Sequence, residues 1–200
     1  MAGMHRLFLS FDGVTIANGD CDDSRTNCSS LVLQSSTMVP AFLEGQGDRQ
    51  VRIGTITAMV QEAIAPFSID AVTARPTSGN YWMISIGGTS AVVTGVPDAL
   101  LATRPVCDAM NRNAIAFVFE QDADDPLSDR AYADVVAGAF GSLVGLVATT
   151  RNGDCMCTQS TCTHTRACTW GTTTVPQTPN PCMRTVQNEQ QVLMDAIGCR

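Results

Sequence analysis

The reactive side chains of this 200-residue chain are unevenly placed. Six of its nine cysteines (Cys155, Cys157, Cys162, Cys168, Cys182 and Cys199) fall in the last quarter. Cys21 and Cys28 bracket the polar loop CDDSRTNC, and Cys107 stands apart. Two chemistries use cysteines at this density. One is a disulfide framework in an exported protein. The other is zinc ligation, for which CMCTQSTCTHTRAC offers Cys155, Cys157, Cys162, His164 and Cys168. That stretch lacks the paired C-x-x-C spacing of structural zinc sites, so disulfides are the expectation. Cys21 and Cys28 are predicted to pair across their short loop. Most of the C-terminal six should be bridged, and the odd count leaves one thiol free or intermolecular. A reduced cytosolic protein with incidental thiols is the alternative.

Carboxylates offer a second chemistry. GDCDD carries Asp20, Asp22 and Asp23, and EQDADDPLSD carries Asp122, Asp124 and Asp125 between Glu120 and Asp129. Oxygen ligands at alternating positions suit calcium. Neither cluster matches the twelve-residue EF-hand pattern, and a solvated acidic turn is the simpler reading. With nineteen acids, nothing singles out two as a hydrolytic pair. The only histidines are His5 and His164. No G-x-S-x-G occurs, and the cysteines beside His164 look like bridge partners rather than nucleophiles.

Elements must hold these groups in place. A hydrophobic content of 44% with 16% charged residues is that of a globular chain, long enough for one core. The net charge of −7 argues against a nucleic-acid partner. The longest apolar run, Val135 to Ala148, falls short of the ~20 residues a bilayer needs, so no membrane span is expected. The start, MAGMHRLFLSFDG, shows no apolar signal-peptide core.

RLFLSFDG reads as a strand ending in an Asp12-Gly13 turn, and SSLVLQSS as a short strand. Val51, Ile53, Ile56, Met59, Val60, Ala63 and Ile64 recur at helical spacing behind Asp48, a plausible cap, and Pro66 stops that helix. SIDAVTARP, NYWMISIGG and NAIAFVFEQ read as three strands, the last apolar enough to be internal. Ser128 is placed to cap a helix running to about Leu146. A Cys/Thr-rich irregular stretch follows, and TVQNEQQVLMDAIG closes the chain as an amphipathic helix. The fold class is therefore α/β (α+β): one mixed sheet of four to five strands with helices packed on it. Residues 1–200 are read as one domain. Residues 1–148 form its packed part, and 149–200 form a cysteine-rich loop with a helix that docks back.

Gly138, Gly141 and Gly145 fall in the predicted helix, each costing ~1 kcal/mol relative to alanine in a helix interior. Close packing is one reason to keep them. Together with Leu146 and Met156, their spacing also resembles a metzincin-type zinc-peptidase domain of the secreted bacterial kind. That family's signature is H-E-x-x-H-x-x-G-x-x-H followed by a methionine turn. Anchored on Gly145, the resemblance puts the three histidine positions at Gly138, Ser142 and Ala148 and the glutamate at Ala139. The methionine turn falls at Met156. Every ligand and the base are thus replaced by side chains that do neither job. The resemblance implies a non-catalytic, extracellular or periplasmic protein, without zinc or another cofactor unless calcium binds. Such a protein works on a protein partner or by self-assembly. The competing class is a zinc metallopeptidase with an unrecognised metal site.

Overall fold

The computed structural model describes residues 4–104, 106–107, 111–121, 127–158, 162–177 and 180–200. The chain runs β1 (His5–Ser10), β2 (Val14–Ala17), β3 (Asp22–Asp23), β4 (Cys28–Ser29), β5 (Ser36–Val39), α1 (Arg49–Ile64), β6 (Ile69–Val72) and β7 (Trp82–Ile86). It continues with α2 (Ser90–Thr94), β8 (Leu101–Thr103), β9 (Ile115–Val118), α3 (Asp129–Leu143) and α4 (Glu189–Ile197). The mixed α/β class expected from the sequence holds. Five strands form the main sheet in the order β6-β1-β7-β9-β8, all parallel except the edge strand β8.

Both faces of that sheet are covered, and the alternation in its strands says how. In β7, Trp82, Ile84 and Ile86 point to one core cluster and Met83 to the other. In β9, Ala116 and Val118 face the first cluster, Ile115 and Phe117 the second. The first cluster is completed by α1 and α3. Helix α1 buries Ile53, Ile56, Val60 and Ile64, the 3.6-residue stripe that its sequence spacing requires. Asp48 holds the N-cap position, but its side chain makes no cap hydrogen bond. Ser128 does cap α3, accepting from the Ala131 amide at 3.1 Å.

The second face is covered by a feature beyond the single sheet expected. Residues 14–39 build a separate four-stranded sheet, β3-β4-β2-β5, whose Ile16 and Val39 pack on Phe8 and Phe117 with Val93 of α2. Its strands are two to four residues long and largely polar, too short for alternation to reveal.

Helix α3 ends earlier than its apolar run suggested. It stops at Leu143, and Gly145 lies beyond it at φ +96°. The Leu146 amide donates to Gly141 O at 2.9 Å and the Gly145 amide to Ser142 O at 3.2 Å. This is the Schellman pattern, which needs a left-handed residue, so Gly145 is a terminator rather than a helix-interior glycine. At the far end, α4 places Leu193 and Ile197 in the first core cluster. Residues Phe67 and Cys199 pair as an antiparallel bridge beside β6.

Candidate functional site: a filled helix face

The positions carried by the resemblance lie on the face of α3 that meets the cysteine-rich loop. Asp134, Gly138 and Ser142 follow one another at four-residue spacing, so they share that face. The Ser142 hydroxyl donates back to Gly138 O at 3.1 Å. No room is left beside Gly138. A Cβ there would overlap Thr158 Cγ2 and stand 2.6 Å from the Cys155 carbonyl oxygen. At Gly141 it would run into Met156 Sδ and stand 3.1 Å from Trp170. The two glycines therefore let the loop backbone and Met156 press against the helix. Their helix-propensity cost is offset by this contact. Met156 is fully buried there, and Ala139 packs in the core on the opposite side. Ala148 sits past the Gly145 turn, half-buried. Its carbonyl accepts from Gln177, and the next amide, Thr149, donates to Met156 O at 3.0 Å.

One turn before Gly138, Asp134 Oδ2 lies 3.0 Å from Nδ1 of His164. Both side chains are nearly sequestered, 5% and 13% exposed. This pair crosses from the helix to the cysteine loop and links residues 30 apart. The sequence offers His164 as a zinc ligand beside the cysteines, and nothing local to either residue signals the contact with Asp134.

A second buried pair holds the other side of the loop. Asp154 and Glu189 hydrogen-bond to each other and are 4% and 0% exposed. Around them only donors converge. The Met156 amide reaches Asp154 at 2.9 Å. The Gly171 amide, the Thr174 hydroxyl and the Gln187 amide reach Glu189 at 2.9, 2.9 and 3.1 Å. Burial, then the Asp154 charge, push Glu189 up to about 7, and burial also raises Asp154. Two carboxyls in contact share one proton, because a second negative charge without water is unfavourable.

Four disulfides lace the molecule: Cys21–Cys28, Cys107–Cys182, Cys155–Cys168 and Cys157–Cys162. The short-loop pairing expected at Cys21 and Cys28 is present. Cys199, one of the C-terminal six for which bridging is expected, is instead exposed and free, the thiol that the odd count leaves over. It lies against Phe67 and Ser68. Such a framework fits an oxidising compartment.

The three carboxylates of the first acidic cluster do not converge. Asp22 and Asp23 are successive residues of β3 and point to opposite faces. Asp23 is held by Arg25, whose guanidinium lowers its pKa. Asp22 turns inward to accept from the Ile115 amide at 2.9 Å, and burial raises its pKa. Asp20 is exposed. The other candidates, Asp122, Asp124 and Asp125, lie outside the described residues. Among the described residues, no three His, Cys, Asp or Glu side chains converge on one point. No described helix is long and apolar enough to cross a membrane.

A cleft of about 450 Å³ opens beyond the C-terminal end of β9, lined in part by Arg52, Glu120 and Tyr132. Its cation is already engaged: Arg52 bonds Asp129 at 2.6 Å and Leu127 O at 2.9 Å and stacks on Phe42 and Tyr132. Burial, then the Glu120 charge, push the Tyr132 hydroxyl up to about 12, so it stays protonated. Among the described residues no nucleophile–base pair forms there. No known protein-family model matches the chain, and no curated protein matches it.

Proposed function

We propose that the chain is a non-catalytic, metzincin-like exported protein that acts by binding or extracellular assembly. The observation that carries this reading is the crowding at Gly138. The position where the resemblance calls for the first zinc ligand has no space for any side chain, because Thr158 and the Cys155 carbonyl occupy it. A catalytic zinc needs three ligands and an open water position on that face. Here the face is closed by protein, and Met156 is packed beneath it. The mixed sheet, the helix after its internal strand, the turn at Gly145 and the docked last helix agree with the resemblance. The disulfide framework supports export.

Binding or assembly is supported by the apolar surface of the C-terminal part. Val175 and Val186, 71% and 52% exposed, flank the Thr174–Gln187 bridge, and Met183 is 89% exposed. Elemental analysis and a casein assay, each with and without chelator, test the catalytic half. The expected result is no stoichiometric zinc and no chelator-sensitive cleavage. One zinc per chain with cleavage abolished by chelator would overturn the reading. Sedimentation velocity of wild type and Val175→Asp tests self-assembly as the route.

A further inference from the structure

A different end of the molecule holds charges that the fold leaves unpaired. The N-terminal ends of the parallel strands β1, β7 and β9 lie side by side, opposite the end where the 450 Å³ cleft opens. His5 and Arg6 start β1, the turn Ser78-Gly79-Asn80 leads into β7, and Arg112 precedes β9. Together they line a cleft of about 310 Å³. Among the described residues no carboxylate lines it, in a chain whose net charge is −7. Neither Arg6 nor Arg112 joins an ion pair among the described residues, and the cleft is where two such arginines line one cavity. Asp70 stands opposite Arg6 in the parallel register, but Arg200 engages it.

Met4 completes the lining with the Ser78-Gly79-Asn80 turn, which brings two neutral polar side chains. The Ser78 hydroxyl and the Asn80 amide make no hydrogen bond within the described protein. Gly79, at φ +80°, turns between them with open space beside it. His5 leans on the Trp82 ring, its centroid 5.7 Å away. Burial, then the charge of Arg112, lower the His5 pKa. The imidazole therefore already senses the field in the cleft. Two guanidinium groups and two neutral donors lining one cleft suit the several oxygens of a phosphate or sulfate better than the two of a carboxylate.

We propose that this cleft binds a tetrahedral oxyanion, the phosphate or sulfate group of a small ester. The inference stands independently of the lost-peptidase reading, since none of its residues belongs to the α3 face. The test is an NMR titration of the His5 imidazole in the full chain with inorganic phosphate, inorganic sulfate and ionic-strength-matched chloride. A saturable shift with phosphate or sulfate, absent with chloride, is expected. At saturation the His5 titration midpoint should move to higher pH as the bound anion offsets Arg112. Arg112→Gln and Arg6→Gln should each weaken binding about tenfold, the loss of a charge-assisted bond. His164, against Asp134, serves as the unmoved control. A phosphomonoester and a sulfated monosaccharide of similar size then show which source binds more tightly. A His5 response equal to that with chloride, or full-strength binding by both variants, would overturn the proposal.

Discussion

The two ends of the polar chemistry in this molecule contrast sharply. Along the seam between α3 and the cysteine loop, the ionisable side chains are buried and partnered: Asp134 with His164, and Asp154 with Glu189. In the cleft of His5, Arg6 and Arg112, the charges are at the surface and lack partners within the described chain. A group whose bonding is complete within the fold holds structure, and one whose bonding is incomplete is available to a ligand. Motif spacing drew attention to the seam, yet the unpaired cleft has the features of a binding site. Substitutions should separate the two regions: the seam should lose stability, the cleft binding alone.

The largest effect is expected from His164→Ala. It leaves the Asp134 carboxylate buried without a partner, at a cost of about 3 kcal/mol or more. Chemical denaturation measures it, and phosphate binding at the far cleft should not change. A loss below about 1 kcal/mol would mean that the pair is not closed off from water as the geometry has it.

Next comes a pH dependence. Glu189 binds its proton more tightly folded than unfolded, so the unfolded chain releases that proton first as pH rises. Stability from this group is complete below the ordinary glutamate range and falls as pH climbs toward about 7, then levels off. The shift corresponds to roughly 3 kcal/mol across that window. Denaturation midpoints between pH 4.5 and 8 should decline in wild type and flatten in Glu189→Gln, which keeps a donor toward Asp154. A wild-type profile that rises over the same range would contradict proton sharing.

In the cleft, Arg112→Gln should change stability by less than about 0.5 kcal/mol, as expected for an exposed side chain without a partner. A larger loss would move the cleft into the same class as the seam.

Much of this was legible in the sequence where the signal is local. The alternation of Trp82, Ile84 and Ile86, the Ser128 cap and the Cys21–Cys28 pairing each depend on residues a few positions apart. What was hidden is long-range. Asp134 and His164 are 30 residues apart, Asp154 and Glu189 are 35 apart, and the cleft joins positions 5, 6, 78–80 and 112. No periodicity encodes such meetings, because the sheet order makes them. The second sheet was missed because its strands carry too few residues to alternate. Gly145 misled through its apolar neighbours. Its Gly-Leu step after an amphipathic run already had the composition of a helix terminator.

The central claim is that Thr158 and the Cys155 carbonyl fill the space beside Gly138, and a double-mutant cycle between Gly138→Ala and Thr158→Ala tests it most directly. Gly138→Ala alone should destabilise by about 2 kcal/mol, since overpacking outweighs the ~1 kcal/mol gain in helix propensity. With Thr158→Ala in place the added methyl meets one obstacle fewer, the Cys155 carbonyl remaining. The pair should then show a favourable coupling of about 1 kcal/mol. A Gly138→Ala protein at least as stable as wild type, with no coupling to Thr158, would mean that the face beside Gly138 is open and the account is wrong.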